Sequence, residues 1–249
     1  MRVLVTGGAG YVGSVSVERL IEAGHDVVVL DDLSTGHRES VPGVTSLEVG
    51  SYGDPETISR LLERARVEAI LHCAARSLVA ESVREPTRYY RDNVVGGIAL
   101  LEAARQAGVG RVVFSSTAAV YGVPDATPIP ETAPLRPINP YGETKRTFEG
   151  ALRFYGAAYG IRSVSLRYFN VAGATERNGE LHDPETHLIP NVLGPRRRAC
   201  RSPCSGTTTR PPTGRVSATT STSRTWPTPI SSPWTRRPPT IGGPTRPSS

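Results

Sequence analysis

Tyr141 and Lys145 stand four residues apart in the chain, directly after Pro140. On a helix this spacing puts both side chains on one face, one turn apart. A nearby ammonium lowers the pKa of a phenol because it stabilises the phenolate. The pair therefore predicts a base that works near neutral pH, with Tyr141 as the group that takes the proton.

The composition supports a special role for the lysine of this pair. Lys145 is the only lysine of the chain, which also has 28 arginines. A lysine retained against this bias indicates a site where the bulkier, forked guanidinium does not serve. The alternative is a surface Tyr–Lys pair without function, which the spacing alone often produces.

Three hydroxyl side chains end a predicted strand that begins at Arg111: Ser115, Ser116 and Thr117. In doubly wound sheets the carboxyl ends of the strands border the crevice that binds ligands. Capping of the strand end is the simpler explanation. These hydroxyls are candidate site residues only because Tyr141 and Lys145 accompany them.

A glycine-rich turn predicts a ligand-binding site near these groups. Gly7, Gly10 and Gly13, with Gly8 between them, separate the first predicted strand from a helix that begins at Tyr11. Glycine lets the strand turn sharply, lets the backbone approach a pyrophosphate, and lets the helix pack close to the sheet. The N–H groups of the helix N-terminus then face the phosphates. A dinucleotide site is expected, the alternative being a tight turn with no ligand.

An acidic residue follows the second predicted strand. Asp31 lies 18 residues beyond Gly13. A carboxylate at this place accepts hydrogen bonds from the ribose hydroxyls and repels a 2′-phosphate. We therefore expect NAD as the cofactor rather than NADP.

Short apolar runs alternate with longer helical patterns along the chain. The predicted strands are Val3–Val5, Val27–Leu30, Ser46–Val49, Ala69–Leu71, Arg111–Ser116 and Val164–Tyr168, and the main predicted helices are Tyr11–Ala23, Ile58–Ala65, Tyr89–Ala107 and Tyr141–Tyr159. Uninterrupted apolar strands are typical of sheets covered on both faces. The pattern predicts an α/β fold with a doubly wound, parallel, Rossmann-type sheet.

The charge of the chain is divided unevenly. Residues 195–249 hold ten arginines and no Lys, Asp or Glu, a net charge of +10. Residues 1–194 hold the other 19 basic residues and all 23 acidic ones, a net charge of −4. The basic balance therefore belongs to a Pro-, Arg-, Ser- and Thr-rich tail that we expect to be disordered, and nucleic acid is not an expected partner.

Other protein classes lack support in this sequence. No run of 18 apolar residues predicts a membrane span, and the N-terminus enters a strand without a signal-peptide pattern. The three cysteines do not predict a disulfide framework, which favours a reducing cytoplasm. The five histidines do not cluster at ligand spacing, so no metal is expected.

Several segments together resemble one family. They are Val5–Ser14, Leu30–Leu33, His72–Ala75, Glu81–Val83, Asn93-Val94, Phe114–Gly122, Pro140–Lys145 and Leu166–Asn170. From Met1 to about Leu193 the chain is similar to the extended short-chain dehydrogenase/reductases, the NAD-dependent epimerase/dehydratase family. We expect three parts: an NAD-binding Rossmann domain at 1–170, the start of a substrate-binding region at 171–194, and the aberrant tail at 195–249.

The resemblance implies an activity. It implies NAD-dependent interconversion of UDP-glucose and UDP-galactose at C4 through a 4-keto intermediate, a step of galactose metabolism. Tyr141 would take the proton of the sugar 4-hydroxyl, Thr117 would share a hydrogen bond with that hydroxyl, and Lys145 would hold the nicotinamide ribose and tune Tyr141. Relatives pair through two long helices, so a homodimer built on Tyr89–Ala107 and Tyr141–Tyr159 is expected.

The same resemblance implies the binding residues. Those expected at the cofactor are Gly7, Gly10, Tyr11, Val12, Gly13, Asp31, Asp32, Cys73, Ala74, Ala75, Asn93, Ser115, Tyr141, Lys145 and Tyr168. Those expected at the UDP-sugar substrate are Thr117, Tyr141, Asn170, His187 and Leu188. Related dehydratases carry an Asp-Glu pair after the threonine, where this chain has Ala118 and Ala119, so dehydration lacks its acid and base.

The tail departs from the family, whose members continue with residues that complete the substrate site. Read in a shifted frame, Thr207–Thr213 permits Asp-Asp-Tyr-Pro-Thr-Pro-Asp and Val216–Thr225 permits Val-Arg-Asp-Tyr-Ile-His-Val, two family segments in order. The hypothesis is a frameshift near Leu193 that impairs catalysis in this form. The alternative is a natural disordered basic arm.

Two other functions remain open. One is a different nucleotide-sugar epimerase of the same family, acting for example on N-acetylated or pentose sugars. The other is a non-catalytic NAD-binding module with a basic interaction arm. Salt-dependent binding to nucleic acid, lost on deletion of residues 195–249, would favour the second.

Overall fold

The structure, a computed structural model, describes residues 1–181. His187, Leu188 and the tail at 195–249 lie outside the described residues. Six parallel strands form one sheet in the order β3-β2-β1-β4-β5-β6. They are β1 Arg2–Thr6, β2 Asp26–Asp31, β3 Ser46–Val49, β4 Ala69–His72, β5 Arg111–Thr117 and β6 Arg162–Tyr168. The predicted doubly wound parallel sheet is confirmed, with all six strands close to their predicted bounds.

Helices cover both faces of this sheet. They are α1 Tyr11–Glu22, α2 Pro55–Ala65, α3 Val79–Arg84, α4 Pro86–Tyr89, α5 Gly96–Gln106 and α6 Pro140–Tyr159, with short 3₁₀ turns at Arg38–Ser40 and Ala118–Tyr121. The four inner strands β1, β2, β4 and β5 are buried almost throughout, which explains their apolar runs, whereas the edge strands β3 and β6 are partly exposed. No helix within residues 1–181 is long and apolar enough to cross a membrane.

The strand order creates a crevice at the carboxyl edge of the sheet. β1 pairs with β2 on one side and with β4 on the other. Strands β2 and β3 are thus added on one side of β1 and strands β4 to β6 on the other, and the strand order reverses beside β1. Ligands of doubly wound sheets bind at such a switch point, outside the carboxyl ends of the strands. The predicted catalytic and cofactor residues within 1–181 lie in the last residues of strands, in the loops that follow them or in the first turns of α1 and α6, except Asn93, which lies in the helical segment before α5.

The core consists of one apolar layer on each face of the sheet. Leu4, Leu30, Ile70 and Phe114 point to the layer that includes Phe148 of α6. On the other face Val5, Val29 and Leu71 pack against α1. The two layers fix α1 and α6 against the strands whose ends carry the predicted site.

The predicted helix Tyr89–Ala107 differs in detail. The helical path begins at Pro86, where proline is favourable because the first helical N–H needs no partner. It then passes through a π-helical segment, Tyr90–Val95, before α5. Gly97 in α5 allows close packing, since a Cβ there would lie 2.6 Å from Cε2 of Phe148. The π segment carries Asn93, and such segments are frequent at functional sites.

Candidate active site

The first turn of α6 is docked onto the end of β5. The Asn139 side chain accepts a hydrogen bond from the Gly142 N–H at 2.8 Å and so caps the helix. A Cβ at Gly142 would lie 2.7 Å from the carbonyl oxygen of Ala119, so only glycine permits this approach. The contact brings Tyr141 next to Thr117, and the two hydroxyls are hydrogen-bonded.

The phenol of Tyr141 does not behave as the sequence predicted. Burial raises its pKa, and the hydrogen bond with Thr117 only partly opposes this. Lys145 does not counter this rise, because its Nζ donates to the carbonyl oxygen of Ser115 at 2.8 Å and lies 5.9 Å from the centre of the Tyr141 ring. Without further groups in the crevice Tyr141 therefore holds its proton at neutral pH.

Lys145 is a buried cation. Its side chain is enclosed between α6 and β5, with Nζ 4.7 Å from the centre of the Phe114 ring. Burial lowers the pKa of Lys145 to about 8, while interactions with Cys73 and Glu149 act in the opposite direction. The ammonium is thus mostly charged at neutral pH but close to its titration range, as expected of a tunable group in a site.

The glycine turn forms a cradle that side chains would fill. A Cβ at Gly13 would lie 1.9 Å from the carbonyl oxygen of Gly7, and Gly7 has φ +71°. Gly10 is the N-cap residue of α1 and offers no side chain as a cap, and the first turn of α1 contains no acidic residue. By contrast, Asp54 caps α2 and Asn139 caps α6. The N–H groups of Tyr11, Val12 and Gly13 belong to that uncapped first turn, which fits a pyrophosphate.

Asp31 connects the glycine turn to the loop that follows β2. Its two carboxylate oxygens accept hydrogen bonds from the N–H groups of Ala9 and Leu33, each at 2.9 Å. Burial raises the pKa of Asp31, and these two bonds oppose the rise. Asp32 is exposed beside it and accepts a bond from the N–H of Ser34. The place and charge of Asp31 fit the hydroxyls of an adenosine ribose.

The chain after β4 borders the same cradle. The N–H groups of Cys73 and Ala74 both donate to the carbonyl oxygen of Thr6 at 3.0 Å, and Ala75 follows them. A Cβ at Gly7 would meet the backbone nitrogen of Ala74 at 2.6 Å, so the two segments touch. Burial raises the pKa of the Cys73 thiol to about 12 and keeps it protonated.

The side-chain amide of Asn93 is hydrogen-bonded to other protein groups at both its oxygen and its nitrogen. Its oxygen accepts from the N–H of Arg76 at 2.8 Å, and its nitrogen donates to the carbonyl of Arg76 and to Oγ1 of Thr144. These bonds join the π segment to the loop after β4 and to α6. A contribution to cofactor binding therefore passes through that loop.

β6 places two more predicted residues at this edge. Tyr168 is in register with Thr117 across β5 and β6, and burial raises the pKa of its phenol. Asn170 lies just beyond β6 and is exposed. The structure thus brings together the predicted residues of the described part of the chain.

A segment that the sequence did not predict crosses the glycine turn. The Tyr11 hydroxyl donates to the carbonyl of Gly173 at 2.6 Å. The buried Asn178 amide donates to Oε1 of Glu18 at 2.8 Å and to the carbonyl of Ser40 at 3.1 Å. Residues 171–181 therefore run from the end of β6, past α1, to the loop after β2. The Asn178-Gly179 pair signals only a turn, so spacing alone does not reveal this role.

The fold and the site define a class. A sheet in this order and a glycine cradle after β1 are features of dinucleotide-binding α/β proteins. Residues 3–207 match the NAD dependent epimerase/dehydratase family. The chain belongs to this family.

Comparisons with individual proteins agree with this assignment. The chain is 52% identical over 193 residues to the UDP-glucose 4-epimerase of Corynebacterium glutamicum, covering 78% of this chain and 58% of the relative. It is 51% identical over 195 residues to that of Lactobacillus helveticus, covering 78% and 59%. The crystal structure of the Brucella ovis UDP-glucose 4-epimerase in complex with NAD superposes with a TM-score of 0.75 at 45% identity, covering 77% and 59%. The chain spans about three fifths of the length of these relatives.

Proposed function

We propose that this chain supplies the NAD-binding and proton-transfer part of a UDP-glucose 4-epimerase, which interconverts UDP-glucose and UDP-galactose. The observation that carries this proposal is the meeting of Thr117, Tyr141 and Lys145 beside an uncapped glycine cradle. Support comes from the relatives at about half identity that bear this name. The proposed domain division is an NAD-binding domain at 1–170 and the start of a substrate region at 171–194.

Each part of the site has a proposed task. NAD, when bound, supplies reversible oxidation of the sugar at C4. Gly7, Gly10 and Gly13 admit the pyrophosphate, and Asp31 accepts hydrogen bonds from the adenosine ribose. Tyr141 takes and returns the proton of the 4-hydroxyl, while Lys145 holds the nicotinamide ribose.

The residues after Thr117 favour epimerisation over dehydration. Ala118 and Ala119 carry neither acid nor base, and the Ala119 N–H donates to Oγ1 of Thr117. Elimination of water requires such groups beside the sugar. A second candidate within the family, acting on N-acetylated or pentose sugars, differs in residues outside the described part of the chain.

The proposal is tested in two stages. The chain purified under native conditions is expected to contain NAD at one equivalent, measured by absorbance after denaturation. A chain translated in the restored frame after Leu193 is expected to convert UDP-galactose to UDP-glucose. Absence of NAD in the first stage, together with no binding by calorimetry, contradicts the proposal.

We also propose that residues 195–249 come from a frameshift near Leu193. The support is the order of two family segments that the codons of Thr207–Thr213 and Val216–Thr225 permit in a shifted frame. Sequencing of the coding DNA decides the matter. Codons at Thr207–Thr213 that are incompatible with the shifted reading refute it.

We propose a homodimer that pairs through α5 and α6. Large apolar side chains are exposed on α6 and on the π-helical segment that leads into α5, including Phe154 and Val95, each 64% exposed. The cytoplasm is the proposed compartment, and the free thiol of Cys73 is consistent with it.

Phe154→Asp is expected to convert this dimer to a monomer. A charge placed in a buried apolar contact is unfavourable unless it is paired. Light scattering should give twice the chain mass of 26.6 kDa for the native chain and a single mass for the variant. Val123→Asp, at a side chain 74% exposed outside both helices, is the control and should stay dimeric. A monomeric native chain contradicts the pairing.

A further inference from the structure

A hydrogen-bonded ionic network joins β5, β6 and α6 beside the catalytic pair. Its centre is Glu149, one helical turn after Lys145, with a side chain only 9% exposed. Oγ of Ser116 donates to Oε1 of Glu149 at 2.5 Å. Nε and Nη2 of Arg167 donate to Oε1 and Oε2 at 3.1 and 2.7 Å. The carboxylate therefore holds a strand end and a bidentate guanidinium at once.

The same network continues past Thr117. Nη1 of Arg167 donates to the Tyr121 hydroxyl at 2.8 Å, and the guanidinium lies 5.0 Å from the centre of the Tyr121 ring. Ser116 directly precedes Thr117, and Tyr121 ends the 3₁₀ turn that follows it. Both flanks of Thr117 are thus fixed to one carboxylate on the helix that carries Tyr141 and Lys145.

Glu149 also supplies negative charge to the surroundings of Lys145. The titratable groups around this ammonium are His72 and Cys73 from the end of β4, and Tyr141 and Glu149 from α6. Burial lowers the pKa of His72 to about 3 and raises that of Cys73 to about 12, so both are neutral at physiological pH. Glu149 therefore opposes the effect of burial on Lys145.

We propose that Glu149 is a positioning residue for the reaction proposed above: it fixes the strand end that carries Thr117 and keeps the buried Lys145 ammonium charged beside the crevice. This rests on the proposed function, because the charge matters only where Lys145 holds the nicotinamide ribose beside the reacting phenol. The positive charge of Arg167 weakens the electrostatic effect of the carboxylate. Glu149 therefore stabilises the charged form of Lys145, and Arg167 destabilises it.

The single lysine permits a direct test in the full chain. Protein labelled with [ε-¹³C]lysine gives one signal, which reports the ionisation of Lys145 without chemical modification. Glu149→Gln keeps the side-chain shape and an acceptor for Ser116 but removes the charge. This variant is expected to lower the titration midpoint of Lys145 by about one pH unit. Arg167→Met leaves the carboxylate unpaired and is expected to raise the midpoint.

Ser116→Ala is the control that separates charge from mere structural support. Ser116→Ala removes one bond to Glu149 and keeps its charge, so the Lys145 midpoint should not move although the chain becomes less stable to heat. Should Glu149→Gln fail to fold, the direction of change in Arg167→Met decides. An unchanged midpoint in Glu149→Gln, or shifts of the same sign in both charge variants, overturns the proposal. NAD binding by calorimetry is measured separately, and its absence in the native chain counts against the proposed function alone.

Discussion

Tyr141→Phe in the chain translated in the restored frame is expected to lower kcat by about 10²–10⁴-fold, the usual effect of removing a general base. The ring remains, so its packing against Tyr89 is preserved, with the two ring centres 6.5 Å apart. The lost oxygen is the one that is hydrogen-bonded with Thr117. The change removes proton transfer and leaves the cradle at Gly7–Gly13 intact, so NAD content should stay at the native level.

Tyr159→Phe is the matched control for this variant. Tyr159 ends the same helix and is 56% exposed, far along α6 from the crevice. Turnover of UDP-galactose by this control should equal that of the parent chain. Loss of a general base lowers kcat by about 10²-fold or more. If Tyr141→Phe loses only about tenfold or less of the parent kcat, Tyr141 is not the base.

Gly13→Ala is expected to abolish NAD binding and to destabilise the fold. A Cβ at this position would lie 1.9 Å from the carbonyl oxygen of Gly7 and 2.8 Å from Cα of Gly8, both backbone atoms that cannot move without opening the turn. Overpacking of this kind costs about 1–3 kcal/mol or more. Calorimetry with NAD and thermal unfolding measure the two effects separately.

Two other glycines separate binding from folding. Gly150→Ala in α6 meets no atom within 4 Å and is expected to stabilise the chain by about 0.5–1 kcal/mol. At Gly10 the nearest atom to an added Cβ is the carbonyl oxygen of Gly7 at 3.5 Å, an ordinary contact. Gly10→Ala should therefore fold normally yet bind NAD more weakly, because the Cβ limits approach of a pyrophosphate. Native NAD affinity in Gly13→Ala contradicts the cradle.

The sequence predicts the sheet well because its information is local. Strand runs such as Val27–Leu30 are apolar without interruption, and glycine marks the ends of helices, as Gly160 does at the end of α6 with φ +76°. The Tyr–Lys pair is equally local, since four residues of a helix separate its members. These features need no knowledge of which segments meet in space.

The features that the sequence missed depend on distant partners. Asn178 bonds to Glu18, 160 residues earlier, and Arg167 bonds to Glu149 across two elements. The direction of the Tyr141 pKa also failed as a prediction, because it depends on burial and on where Lys145 points. Neither quantity follows from spacing along one helix.

The central claim is that Lys145 and Tyr141 face the nicotinamide half of a bound dinucleotide. Addition of NAD to [ε-¹³C]lysine-labelled chain is predicted to shift the Lys145 signal, saturating with the affinity that calorimetry gives. AMP, which contains only the adenosine end near Asp31, is predicted to leave the signal in place. NAD that binds by calorimetry at one equivalent without moving the Lys145 signal would contradict the account.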